Sequence, residues 1–185
     1  MIACMVNNVN VFDKSFRLFI SNDEIKNRIG MVAAQINADL KCKNPLFLGI
    51  LNGSFMFAGE LFQQINIECE ISFLKLASYE GTSSSGTVKR LIGLNEDIKN
   101  RTVVILEDIV DTGITIDHIV KQLKGYEPSE ILIATLLCKP TVFNNKYKLD
   151  YCCFEIPNEF IVGFGLDYNG QGRNLKHIYK ISESK

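Results

Sequence analysis

Val103-Val104-Ile105-Leu106-Glu107-Asp108-Ile109-Val110-Asp111-Thr112-Gly113-Ile114-Thr115 is the stretch that sets the fold. A β-branched apolar run delivers three carboxylates, then a Thr-Gly-x-Thr turn, to the start of a helix. Thr102 to Leu106 suits a buried strand, and Ile114 to Leu123 a helix after it. In open α/β sheets ligands bind at the carboxyl ends of the strands, where this cluster falls. Asp111 through Thr115 suit a phosphate, because a helix N-terminus presents unpaired N–H groups and a partial positive charge. Gly113 permits close approach of the backbone, and Thr112 and Thr115 add hydroxyl donors. Asp-Thr-Gly alone is equally an ordinary capped helix start. Glu107 and Asp108 add something a cap does not need. Adjacent carboxylates at the end of a buried strand repel each other, and burial raises that cost. A ribose 2′,3′-diol offers them two donors, and a divalent cation neutralises the remainder. The Walker pattern GxxxxGK[ST] is absent, which argues against an ATPase-type cradle.

Outward from this segment, helical and strand-like patterns alternate. Ser21-Asn22-Asp23-Glu24 is a capping-box signature, opening a helix to about Leu40 with Ile25, Ile29, Val32, Ala33 and Ile36 at helical spacing. Pro45 stops it. Leu46–Leu51 reads as a strand, Asn52-Gly53 as a turn, Ser54–Ile65 as a helix and Glu68–Leu76 as a strand. Ala77 to Val88 encloses a small, polar stretch expected to be mobile. Glu130–Cys138, Phe154–Val162 and Ile178–Ile181 supply further strands. This order predicts an α/β fold with a mostly parallel central sheet flanked by helices, in a single domain over 1–185.

Composition narrows the class. Of 185 residues 46% are hydrophobic and 22% charged, which is ordinary for a globular domain. A formal net charge of -1 advertises neither nucleic acid nor an anionic membrane as partner. Cys69, Cys138, Cys152 and Cys153 lie in apolar or strand-like runs and read as reduced, buried thiols. No CxxC or HxxxH spacing offers a zinc site. Met1 to Val6 is apolar but has no basic lead, so it does not read as a signal peptide. No run approaches the roughly 20 apolar residues of a membrane helix. A cytoplasmic protein is expected.

The central segment resembles the phosphoribosyl-pyrophosphate (PRPP) motif of type I phosphoribosyltransferases, in the form of the hypoxanthine-guanine phosphoribosyltransferases. The similarity runs from about Phe19 to Ile181. It takes in Leu51-Asn52-Gly53-Ser54-Phe55, the Ser78-Tyr79 loop, Lys139, Phe160-Ile161-Val162-Gly163 and Leu166-Asp167-Tyr168. It implies the type I fold, with a small hood formed by the N-terminal segment and about 139–185.

By the resemblance, Glu107 and Asp108 hold the ribose hydroxyls and help place Mg2+. Asp111 is the general base near N7 of a purine, and Asp111, Thr112, Gly113, Ile114 and Thr115 bind the 5′-phosphate. Ile114 departs from relatives with a polar residue there, leaving only its backbone N–H. Asn52 and Gly53 match the pyrophosphate loop, where relatives carry Lys or Arg at the position of Asn52 and a cis peptide before it. Arg173 contacts pyrophosphate. Lys139 reads the purine 6-oxo group, because an ammonium only donates hydrogen bonds. Phe160 stacks on the base, Ile161 adds backbone contacts, and Asp167 lies at the purine site and reaches magnesium. Ser78 and Tyr79 belong to a lid over the reacting centre. The implied activity is transfer of the phosphoribosyl group from PRPP to a 6-oxopurine by a homodimer or homotetramer. A xanthine-preferring transferase and a nucleic-acid-binding regulator with the same fold are the alternatives.

Overall fold

The computed structural model describes residues 8–79, 88–144 and 146–182. In chain order the elements are β1 (Asn8–Val11), β2 (Lys14–Ile20), α1 (Asn22–Asp39), β3 (Leu46–Leu51), α2 (Phe55–Phe62), β4 (Glu70–Tyr79) and β5 (Val88–Ile92). They continue with β6 (Thr102–Val110), α3 (Ile114–Lys124), β7 (Glu130–Cys138), β8 (Tyr151–Glu155), β9 (Ile161–Val162) and β10 (Ile178–Ile181). The larger sheet has the order β5-β4-β3-β6-β7-β8. Its strands run parallel except β5, which pairs antiparallel with β4 at the edge. The expected parallel sheet flanked by helices is therefore the fold.

Helices cover both faces, so the central strands are apolar throughout. Along β6, Val104 and Leu106 join the core under α1 and α2, with Ile29, Phe57 and Leu61. Val103 and Ile105 join the core under α3, with Ile116, Ile119 and Leu123. Strand alternation then slips. Ile109 packs with the α1–α2 cluster and Val110 with the α3 cluster, so Leu106 and Ile109 share a face three residues apart. Glu107 and Asp108 occupy the slip.

A second, antiparallel sheet of order β1-β2-β10-β9 joins the two ends of the described chain. Val11, Phe16, Val162 and Tyr179 form its small core. β1 and β2 were not anticipated. Phe154–Val162, read as one strand, is two: β8 extends the larger sheet and β9 belongs to the smaller. Pro157 lies between them and cannot donate to a ladder. The strand read as ending at Leu106 runs on to Val110, and the helix read to Ile65 ends at Phe62. Ser78 and Tyr79 prolong β4 and pair with Lys89 and Val88. The rest of the expected lid, 80–86, lies outside the described residues, as do Met1 to Val6.

Among the described residues, the cysteines are all free. Burial pushes the Cys152 and Cys153 thiols up to about 12, so they stay protonated and unreactive. No described helix is long and apolar enough to cross a membrane.

The two sheets are tied at the start of α1. Ser21 caps the helix in a full capping box with Glu24, and the Asn22 N–H donates to His177 Nδ1 at 2.8 Å. Asn22 Nδ2 also donates to the Lys176 carbonyl. Burial, with Lys176 nearby, holds the His177 imidazole below its usual value. A protonated ring would set N–H against N–H beside the positive end of the helix. The folded value lies below the unfolded one, near 6.5, so the neutral ring's contribution is complete above that pH and lost as pH falls further. Thermal melts between pH 7.5 and 5 should therefore fall more steeply for the parent than for His177→Asn, whose oxygen accepts at all these pH values. Equal slopes would remove this role.

Candidate active site

The carboxyl ends of β3, β6 and β7 meet at one edge of the larger sheet, and the loops leaving them line a cleft. Residues Glu107 to Gly113, with Thr115 and Ile116, enclose about 200 Å³ of it. Gly113 caps α3 with φ 83. A Cβ there would also lie 2.7 Å from the Phe143 ring, so both conformation and space require glycine. The first intrahelical bond runs from Asp117 N to Gly113 O. The Ile114 N–H before it turns to Thr112 Oγ1 at 3.4 Å. Ile114 is 56% exposed, leaving its side chain in solvent beside this turn.

Glu107 is 7% exposed, and its Oε2 has no hydrogen-bond partner. Burial first, and the neighbouring Asp108 second, push its carboxyl well above the usual range. Asp108 is pushed up to about 6, again chiefly by burial, with Arg173 opposing the shift. A buried acceptor without a donor is uncommon in a folded protein. The pair is therefore poised for hydroxyl donors or a cation.

Asp108 leans on the loop after β3. A Cβ on Gly53 would lie 1.6 Å from Asp108 Oδ2. The Leu51–Asn52 peptide before Gly53, which the sequence left open, is cis, and the Asn52 side chain is exposed. Gly165, at φ +99, packs on the same loop: its Cβ would stand 2.1 Å from the Gly53 carbonyl. Arg173 Nη1 donates to the Gly165 carbonyl at 2.7 Å and its Nη2 pairs with Asp167. Asp108, Gly53, Asp167 and Arg173 thus gather on one side of the cleft.

On the other side, the Lys139 N–H donates to the Val110 carbonyl, fixing the lysine just past β7. Its buried ammonium donates to Asp111 Oδ2 at 3.2 Å and to Asn158 Oδ1 at 3.1 Å. Beyond them Phe160 presents a ring 43% exposed. The Tyr168 ring packs T-shaped against it with centroids 5.5 Å apart, and the Lys14 ammonium lies 5.4 Å from its centroid. Ile161 is buried in β9, opposite Lys180. Sequence reading missed Lys14 and Asn158. Lys14 sits in the unassigned N-terminal hairpin, and Asn158 looked like an ordinary turn residue after Pro157. Neither carries a local signal.

Among the described residues, no three Asp, Glu, His or Cys side chains converge as a ready-made metal site. The oxygens of Glu107, Asp108 and Asp167 are nonetheless of the hard kind that Mg2+ takes, and this cation commonly uses one or two carboxylates with waters and substrate phosphate.

An acidic strand end, a glycine turn at a helix start and a glycine loop pressed against the acids define the class of protein that handles phosphorylated ligands at the edge of a parallel sheet. A family model described as "Phosphoribosyl transferase domain" matches residues 21–169, and the chain belongs to this family. It is 41% identical over 168 residues to the hypoxanthine-guanine phosphoribosyltransferase of Streptococcus pneumoniae (strain ATCC BAA-255 / R6), covering 90% of this chain and 93% of the relative. The protein of that name from Streptococcus mutans is 40% identical over the same shares. A hypoxanthine phosphoribosyltransferase structure from Staphylococcus aureus superposes with TM-score 0.81 at 31% identity, covering 100% of both chains. A hypoxanthine-guanine phosphoribosyltransferase structure from Bacillus anthracis gives 0.79 at 30% identity, over 89% of this chain and 96% of that one. The chain is thus a transferase of purine salvage.

Proposed function

We propose that the protein transfers the 5-phosphoribosyl group of PRPP to N9 of hypoxanthine, and of guanine, giving IMP or GMP and pyrophosphate. The observation that carries this reading is the Lys139–Asp111 ion pair at 3.2 Å. One group suits O6 and the other N7, along one edge of a single purine. The half-exposed Phe160 ring offers a stacking face beyond them.

In this reading Asp111 to Thr115 hold the 5′-phosphate through amides and hydroxyls, Ile114 by its N–H alone. Glu107 and Asp108 accept from the ribose hydroxyls, and the unpartnered Glu107 Oε2 favours such a donor. Gly53, Asn52 and Arg173 hold pyrophosphate, with Arg173 carrying the charge that Asn52 lacks. Glu107, Asp108 and Asp167 would hold Mg2+, which when bound would neutralise charge on the departing pyrophosphate. The C1′–oxygen bond to pyrophosphate breaks as N9 bonds to C1′, and Asp111 accepts or holds the N7 proton. Ser78 and Tyr79, with the loop beyond them, exclude water from the cationic sugar. The small sheet acts as the hood, bringing Phe160, Ile161 and Lys14 over the base. A homodimer or homotetramer in the cytoplasm completes the proposal, the reduced thiols favouring that compartment.

Steady-state kinetics with Mg2+, PRPP and each of hypoxanthine, guanine, xanthine and adenine test it. Turnover is expected with the first two; none with any base overturns the reading, and a preference for xanthine replaces the substrate. Lys139→Gln should lower kcat/KM for hypoxanthine relative to adenine by roughly tenfold or more, the scale of one hydrogen bond to a charged group. Unchanged selectivity removes Lys139 from the base site.

A further inference from the structure

We propose that Asn158 orients the Lys139 ammonium and is thereby a specificity-determining positioning residue for 6-oxopurines. The inference rests on the reading of Lys139 as the group that meets the purine 6-position. An ammonium has three donors on a flexible four-carbon stem, so its selectivity depends on what holds it. The lysine backbone is fixed: its N–H donates to Val110, and its carbonyl accepts from Val142 and Phe143 at 3.1 and 3.0 Å. Two of the ammonium donors are engaged, by Asp111 Oδ2 and Asn158 Oδ1. That leaves one for a ligand.

The two partners are not equivalent. Asp111 faces the reacting edge of the purine, and its side chain is 48% exposed, so a bound base competes for its carboxylate. Asn158 has no such second task. It is held from both sides: the Ile156 N–H donates to the Cys138 carbonyl beside Lys139, and the Glu159 N–H donates to the Pro157 carbonyl. Pro157 fixes its own φ immediately before Asn158. Asn158 also stands two residues before Phe160, so one short link sets both the stacking face and the lysine tether. A neutral amide orients the ammonium without adding a further negative charge where anionic PRPP must bind. Asn158 is exposed, so its loss removes no core packing.

Asn158→Ala should raise KM for hypoxanthine about tenfold and narrow hypoxanthine–adenine selectivity by a similar factor, while KM for PRPP and the thermal midpoint stay near the parent's. Asn158→Asp, which keeps the acceptor, should restore the base KM. In a Lys139→Gln background, Asn158→Ala should have little further effect, because the two act as a unit. An unchanged hypoxanthine KM, or a loss of the same size in both backgrounds, overturns the inference. If Lys139→Gln itself leaves selectivity intact, the reading of Lys139 fails and takes this one with it. If Lys139→Gln narrows selectivity and Asn158→Ala does not, only the role of Asn158 falls.

Discussion

Asp111→Asn is expected to lower kcat with hypoxanthine by roughly 10²–10⁴-fold, the usual contribution of a positioned general base. The substitution keeps the shape of the side chain and leaves the helix start untouched, since α3 is capped by Gly113 without a side-chain bond. What it removes is the proton acceptor and the counter-charge of Lys139. PRPP affinity, measured by calorimetry in the absence of base, should stay within a few-fold of the parent. A thermal melt separates loss of chemistry from loss of fold, because Asp111 is half exposed and contributes little packing. Near-normal turnover would end the assignment of Asp111 as base. Loss of PRPP binding in step with turnover would move its role to the phosphate.

Gly165→Ala should be strongly damaging although it touches none of the acids. At φ +99 any side chain is strained, and its Cβ would stand 2.1 Å from the carbonyl oxygen of Gly53. The obstacle is backbone, so no rotamer relieves it. Asp108 already fills the space against the α-carbon of Gly53. Left-handed strain alone is worth about 1–2 kcal/mol; displacement of two packed loops adds to it. A fall in Tm of at least about 4 °C is expected for a chain of this size, with a raised KM for PRPP. Gly170→Ala is the control, since Gly170 has φ +79 but nothing within 4 Å of a Cβ. Equal losses for the two variants would mean that conformation alone matters and the contact with Gly53 does not.

Much of the frame was legible because it is local. The α1 capping box involves Ser21 and Glu24, and a helix sees its own periodicity. The apolar run of β6 and the turn at Gly113 announced a strand feeding a helix start. The cis peptide before Asn52 stayed open, since no residue pattern encodes it. β1 and β2 escaped notice because Asn8 to Ile20 mixes polar and apolar residues, and their partner β10 lies at the other end of the chain. Phe154–Val162 looked continuous because its apolar content hides that β8 and β9 serve different sheets.

The sequence alone determined that a buried strand ends in acids beside a phosphate-ready helix start, since spacing, capping and backbone freedom act between near neighbours. Only the tertiary structure decided which distant groups complete the site. Lys139 meets Asp111 across 28 positions, and Asn158 reaches Lys139 across 19. Arg173 and Asp167 come to Asp108 only when the 163–175 segment folds back over Gly53. Such contacts depend on parallel strands ending at one edge and on loops closing over it. That is a property of the packed sheet, and it leaves no periodic trace along the chain.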